Sequence, residues 1–272
     1  MVEWNRGCFD PGKIYLSGQV LLGWEENSDG SFTVTSTGRT AGLKKRDDGS
    51  IVISCPDHDD SYWTEYFDLS TDYDKIESMA PQDIFLNEAL AYGRGIRILK
   101  QDLWEALVSF IVSQNNNIPR ITKSLKKIEE KAGGHKSGKG FPTPEELYEI
   151  RNSLCECGLG YRDMYLKKLA EEIHDGSRKL DFDKNTEKAY RQLLDITGIG
   201  PKVANCVLLF GLHRMERCPV DTWMKQVFAN HYEGHQPEWT KSEYAGYYQQ
   251  VTFFMERMSG GKQESRRGDL VT

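Results

Sequence analysis

The sequence predicts an α+β protein, with a small N-terminal antiparallel β-sheet domain over 1–95 followed by an all-helical remainder. Two observations carry this. In the first third, the runs Phe32-Thr33-Val34-Thr35 and Ile51-Val52-Ile53 are rich in β-branched residues. They are set off by Asp29-Gly30 and Asp48-Gly49, dipeptides that favour tight hairpins. From Pro81 onward the apolar spacing turns helical, and helix starts and stops alternate to near the end.

The elements follow in order. A helix over 81–92 opens at a proline and stops at Gly93. Asp102 with Glu105 makes a capping-box-like start to a helix over 103–114. That helix is apolar on nearly every side, which predicts a central buried position, and it runs into the polar triplet Asn115-Asn116-Asn117. The glycine- and lysine-bearing segment 133–140 is expected to be a flexible surface loop. Thr143, Pro144 and Glu146 start another helix that Gly158 can end, and the next runs from about 162 to Gly176. A helix over 186–195 meets the turn Thr197-Gly198-Ile199-Gly200, and Pro201 opens the helix 202–211. Together these make a helix-hairpin-helix over about 186–211. The last helix is expected over 241–258, capped by Thr240 with Glu243, which leaves 96–258 as the helical core. Residues 259–272 have the composition of a disordered tail. Gly158-Leu159-Gly160-Tyr161-Arg162 weakly echoes Gly198-Ile199-Gly200-Pro201-Lys202, two fragments too few for a repeat protein.

Composition excludes several classes. With 272 residues, 38% of them hydrophobic, the chain can bury a sizeable core. The longest apolar run, 106–112, is far too short to span a membrane. The N-terminal residues lack the charged region and apolar stretch of a secretory signal, so the protein is expected inside the cell: cytoplasm or nucleoid in a prokaryote, nucleus in a eukaryote. Cys8, Cys55, Cys155, Cys157, Cys206 and Cys218 include no C-x-x-C pair and read as free thiols, with no zinc ribbon, iron-sulfur cluster or other cofactor expected. A formal charge of −6 argues against generalised nucleic-acid binding, although the charges are mixed along the chain rather than blocked.

The chemistry concentrates around the second hairpin. Gly198 and Gly200 permit a turn too tight for side chains and leave backbone N–H groups pointing outward at a helix N-terminus, a phosphate-binding shape that needs no basic side chain. Lys202 sits in the first turn of the following helix, and Pro219-Val220-Asp221-Thr222 puts a carboxylate at another helix start. By themselves these residues read equally as a solvated lysine and an ordinary N-cap.

Taken together, this pattern resembles the helix-hairpin-helix, Gly/Pro-rich loop and aspartate superfamily of DNA glycosylases, and within it the 8-oxoguanine glycosylase branch, over about 16–258. The resemblance implies a two-lobed helical core and a bifunctional DNA glycosylase and abasic-site lyase. The Lys202 amine would attack C1′ of an extruded nucleotide and form a Schiff base, Asp221 would stabilise the cationic sugar, and β-elimination would cut the strand. A free lysine amine, with a pKa of about 10.4, is mostly protonated at neutral pH, so the site must deliver it neutral. The resemblance also places Cys206, four residues on and on the same helix face, against the lysine and the damaged base.

Base recognition is implied for four more residues. The Gly18 carbonyl would accept the N7–H of 8-oxoguanine, Gln249 would bind the base edge, Phe253 would stack on the flipped base, and Trp223 would lie near the lesion. Trp223 stands where some relatives have a histidine, and it can offer only its indole N–H. Asn115 would fill the space left by extrusion, Tyr161 would wedge the duplex, and Arg120 and Arg162 would contact the orphaned cytosine. The expected partner is double-stranded DNA carrying 8-oxoguanine, bound by a monomer with no obligate protein partner. Rival readings are a glycosylase for another base and a noncatalytic phosphate-binding module, which would require neither Lys202 nor Asp221.

Overall fold

The computed structural model describes residues 2–4, 8–56, 58–133 and 140–268, with 2–4 and 261–268 as backbone only. The expected loop over 133–140 lies mostly outside the described residues. The N-terminal sheet has strands β1 (Val2–Trp4), β2 (Trp24–Glu26), β3 (Phe32–Ser36), β4 (Arg39–Lys45) and β5 (Ile51–Ser54), in the order β1-β5-β4-β3-β2 and antiparallel throughout. Alternation buries Phe32 and Val34 of β3, Ala41 and Leu43 of β4, and Ile51 and Ile53 of β5 on one face. That face packs against Ile14 of helix α1 (Pro11–Leu16) and against Trp63, Tyr66 and Phe67 of helix α2 (Asp60–Tyr66) and its cap.

Both Asp-Gly turns form as the sequence predicts. Asp29 accepts the Ser31 amide and Asp48 the Ser50 amide, and Gly30 and Gly49 have φ of 75° and 84°. A third hairpin, Thr37-Gly38, joins β3 to β4, with φ of 48° and 76°, although threonine is an unusual choice there. Its support comes from outside the sheet. Glu105 accepts the Thr37 amide at 2.8 Å and the Ser36 hydroxyl at 2.9 Å. The predicted capping box is therefore only half present. Asp102 accepts the Glu105 amide, but the Glu105 carboxylate crosses to the sheet instead of folding back.

The rest is helical: α3 (Tyr73–Ser78), α4 (Ile84–Gly93), α5 (Leu103–Ser113), α6 (Ile118–Lys131), α7 (Pro144–Glu149), α8 (Arg162–His174), α9 (Thr186–Leu194), α10 (Pro201–Gly211), α11 (Thr222–His231) and α12 (Ala245–Gly268). Helix α5 is the central buried one. It packs on α6, α8 and α10, while α4 and α11 pack on α12, which gives the helical core two lobes. The two apolar cores interleave along the chain: Leu99 belongs to the sheet core, while Leu21 and the buried apolar residues from Tyr73 to Ile98 belong to the helical core. The apolar faces of α3 and α4 turn toward α12, with Gly93 so close to Val251 that a methyl group there would lie 2.9 Å from it.

Helix boundaries differ from expectation in four places, beginning with α4, which opens at Ile84 under an Asp83 cap instead of at Pro81. The helix opened by the Thr143–Glu146 capping box stops at Glu149 and continues as a 3₁₀ turn, Arg151–Cys157, to the left-handed Gly158. Arg151 and Ser153 side chains take the carbonyls of Tyr148 and Ile150, competing with helix hydrogen bonds. The closing helix begins at Ala245 instead of 241, because Thr240 lies in a 3₁₀ turn, Glu238–Lys241. It also runs to Gly268, so 259–268 continue the helix in place of the disordered tail; each residue added to an existing helix gains a hydrogen bond, and Lys262, Gln263 and Glu264 are good helix formers.

Candidate active site

The helix-hairpin-helix is formed by α9, a glycine turn and α10. Gly198 has φ of 87°, and a methyl group on it would sit 2.3 Å from the Tyr165 ring, so both backbone and packing demand glycine. Gly200 is different, with φ of −98° and nothing within 4 Å of a methyl placed there. Buried Ile199 pins the turn between them. Helix α10 starts at Pro201 with no side-chain cap, which leaves the amides of its first turn for a ligand from outside.

Lys202, in that first turn, is half-buried between α10 and α5. Its Nζ donates to the Ser113 hydroxyl at 3.3 Å and lies 5.7 Å from the centre of the Phe110 ring. No carboxylate forms an ion pair with it among the described residues. One turn along, the Cys206 thiol is buried, and burial pushes its pKa up, with Lys202 opposing and Asp221 reinforcing the shift. Asp221 also reinforces the rise at Cys218, where burial carries the thiol to about 12. Lys202, Cys206, Asp221 and Cys218 thus share one neighbourhood. Asp221 caps α11, with Oδ1 accepting the Met224 amide at 2.9 Å, which leaves Oδ2 for another partner.

A second group gathers where α12 passes the loop after α1. A methyl on Gly18 would lie 3.4 Å from Phe253, 3.3 Å from Ile118 and 3.2 Å from Arg257. Gln250 donates to the Ser17 carbonyl at 2.7 Å and Arg257 to the Leu16 carbonyl at 2.8 Å. Buried Gln19 anchors the loop from the other side through the Leu99 amide and the Arg97 carbonyl. The next carbonyl, that of Gly18, takes no hydrogen bond among the described residues. Gln249 is 5% exposed, yet its Oε1 has no partner. An acceptor so placed costs about 1 to 3 kcal/mol, and a donating ligand would relieve it. Trp223 lies beside Gly260, seven residues beyond Phe253 and on the same side of α12.

The third group forms at the end of α5. Asn115 has φ of 42° and donates to the Tyr161 hydroxyl at 3.2 Å, and Tyr161 stays 42% exposed. Arg120 is exposed in the first turn of α6. Arg162, expected to contact the orphaned cytosine, is 4% exposed. Its guanidinium donates to the carbonyls of Gln114, Asn115 and Leu159. The Gln114 and Asn115 carbonyls at the end of α5 have no other donor among the described residues, while Leu159 also accepts the Arg162 amide, and a fork of N–H groups meets all three.

Residues 1–107 match the N-terminal domain of 8-oxoguanine DNA glycosylase, and residues 108–245 match the HhH-GPD superfamily of base excision DNA repair proteins. The chain belongs to the HhH-GPD superfamily. A probable N-glycosylase/DNA lyase of Methanothermobacter thermautotrophicus is 30% identical over 241 residues, covering 74% of this chain and 76% of that protein. An N-glycosylase/DNA lyase of Saccharomyces cerevisiae is 34% identical over 160 residues, 52% of this chain and 43% of that one. Among solved structures, the Clostridium acetobutylicum 8-oxoguanine glycosylase/lyase, in complex with double-stranded DNA containing cytosine opposite 8-oxoguanine, superposes with a TM-score of 0.84. It is 31% identical, covering 93% of each chain.

Within this HhH-GPD chain, sequence reasoning missed Ser113, Phe110, Tyr165 and Arg257. Ser113 and Phe110 reach Lys202 from α5, which is 89 residues away for the hydroxyl, and no local periodicity signals such a contact. The one available hint at Arg257 was its spacing, four and eight residues after Phe253 and Gln249, on one helix face.

Proposed function

We infer that the protein is a bifunctional DNA glycosylase and lyase that extrudes and excises 8-oxoguanine from duplex DNA, with cytosine as the preferred opposite base. The observation that carries this reading is the position of Lys202: in the first turn after the glycine hairpin, with Cys206 and Asp221 in its neighbourhood and no ion-pair partner of its own.

The Lys202 nitrogen attacks C1′, the bond from C1′ to the base breaks, and its electron pair leaves with the base, which takes up a proton. Asp221 stabilises positive charge on the sugar as that bond opens. Loss of the ring oxygen from C1′ leaves a Schiff base, which acidifies the hydrogens on C2′. Removal of one of them expels the 3′ phosphate and cuts the strand. The amides at the start of α10, between Gly198, Gly200 and Lys202, hold a backbone phosphate and fix the nucleotide over the amine. The free Gly18 carbonyl accepts N7–H, which guanine lacks, the unpaired Gln249 oxygen accepts from the base edge, and Phe253 and Cys206 enclose the ring. Asn115 and Tyr161 occupy the gap in the duplex, with Trp223 at the outer end of the pocket and Arg120 toward the cytosine. The enzyme works on duplex DNA as an intracellular monomer.

Borohydride trapping on a duplex with 8-oxoguanine opposite cytosine tests this. A covalent adduct that disappears in Lys202→Gln is expected. No adduct with the native chain overturns the lyase assignment, and an adduct that survives Lys202→Gln moves the nucleophile elsewhere. Faster cutting of thymine glycol or hypoxanthine than of 8-oxoguanine would overturn the base assignment.

A further inference from the structure

Arg257 has no role in the chemistry described so far, and its surroundings are unusual for a cation. It is partly buried, and burial pulls its pKa below the ordinary arginine value. Among the described residues no carboxylate pairs with it, and its one hydrogen bond runs from Nη1 to the Leu16 carbonyl. A guanidinium has five N–H groups, so four remain for another acceptor. The same Nη1 is the nearest atom to a methyl placed on Gly18, at 3.2 Å. Gly18 and Arg257 also line a cavity of about 830 Å³ between the sheet and α5 and α6, on a side that Lys202, Cys206, Gln249 and Phe253 do not border, so it is the Gly18–Phe253 contact that ties them to the base pocket.

Close together, therefore, stand a carbonyl acceptor without a donor and a guanidinium that uses one hydrogen bond, to Leu16, and keeps further N–H groups to donate. The oxidised edge of 8-oxoguanine carries the complement: N7–H is a donor, and the oxygen on the adjacent C8 is an acceptor. Guanine presents the opposite at N7 and only C–H at C8. Resting on the reading that this pocket takes 8-oxoguanine, we propose that Arg257 is a specificity residue, donating to the C8 oxygen while the Gly18 carbonyl accepts the neighbouring N7–H. The position reads both differences between lesion and guanine at one edge. Helix α12 carries Gln249, Phe253 and Arg257 at successive turns of one face.

The test compares the native chain with Arg257→Leu and Arg257→Lys. It measures affinity for duplexes holding 8-oxoguanine or guanine opposite cytosine, each with a 2′-fluorine that blocks excision, together with strand cutting at a preformed abasic site and the melting temperature. Removing a charge-assisted hydrogen bond is expected to lower the preference for lesion over guanine about tenfold or more in Arg257→Leu, with partial recovery in Arg257→Lys. Abasic-site cutting, which needs no base in the pocket, should stay within about twofold. An unchanged preference in Arg257→Leu overturns the proposal. Equal losses of preference and abasic cutting, with a lowered melting temperature, also overturn it, since Arg257 would then only hold the Leu16 carbonyl. A native chain that shows no preference for 8-oxoguanine overturns the pocket reading itself.

Discussion

Gly158-Leu159-Gly160-Tyr161-Arg162 and Gly198-Ile199-Gly200-Pro201-Lys202 are two glycine turns of nearly the same spelling, and each opens a helix with a cation in its first turn. Each has a buried aliphatic residue between its glycines, Leu159 or Ile199. Both cations reach the same place, the end of α5. Arg162 holds the carbonyls of Gln114 and Asn115, and Lys202 meets the hydroxyl of Ser113. A cation at a helix C-terminus is favourable in both cases, yet the outcome differs. The arginine spends most of its donors inside the protein and stabilises the turn that presents Asn115. The lysine, held by the Ser113 hydroxyl and the Cys206 thiol, keeps an amine available for chemistry. Local sequence thus sets where each cation goes, and the number of acceptors waiting there decides whether it becomes structure or reagent.

Exchanging their fates is the severest test. Lys202→Gln should abolish the borohydride adduct and lower excision by at least about a thousandfold, while unfolding free energy stays within about 1 kcal/mol, because a half-buried side chain loses only its contacts with the Ser113 hydroxyl and the Cys206 thiol. Arg162→Ala should do the reverse at the level of stability, costing about 2 to 4 kcal/mol in denaturant unfolding, since the Gln114 and Asn115 carbonyls lose their donors in a buried place. An Arg162→Ala protein as stable as the native one would show that the inward grip contributes nothing.

The glycines sharpen the same contrast. Gly198→Ala forces a methyl into the Tyr165 ring at a positive φ and is expected to cost about 2 kcal/mol or more. Gly200→Ala meets no neighbour and has an ordinary φ, so its melting temperature should hardly move. Its affinity for any duplex should nevertheless fall severalfold, because the methyl stands where a phosphate must approach. If Gly200→Ala instead lowers the melting temperature and leaves DNA affinity intact, the open face of that turn is not a phosphate site.

Much of this was legible in the sequence, for reasons that separate local from distant effects. The Asp-Gly turns, the Asp102 and Thr143 caps and the glycine hairpin depend on neighbours a few residues apart, and the structure contains each of them. The five-stranded sheet was visible only in part. Trp24–Glu26 is too short to show a period, and Thr37-Gly38 turns tightly only because Glu105 holds it from another element. Helices α1 and α6 were passed over because each opens at a proline within or beside a polar run, Asp10-Pro11 and Asn117-Ile118-Pro119. At the site, Gly18, Gln249 and Phe253 were named through resemblance; Gly18 lies beside Phe253, and the Gln249 Oε1 has no partner among the described residues. Arg162 is the residue whose direction could not be read, since its acceptors come from a segment 47 and 48 residues away.

Helix α5 carries a third hairpin at its other end, and there the charge is reversed. Glu105, in the first turn, accepts from Ser36 and Thr37, a carboxylate placed where the helix dipole favours it. Burial outweighs that help and raises its pKa from 4.5 to about 7, so the folded state binds the proton more tightly than the unfolded chain. The sign follows directly: this contribution to stability is fully present below about pH 4.5 and is lost as pH rises to about 7, by at most on the order of 3 kcal/mol. Glu105→Gln keeps an acceptor for the Thr37 amide and cannot titrate. Its melting temperature relative to the native chain should therefore rise between pH 5 and pH 7.5, by a few degrees. A constant difference across that range would mean that the Glu105 clamp stays charged throughout.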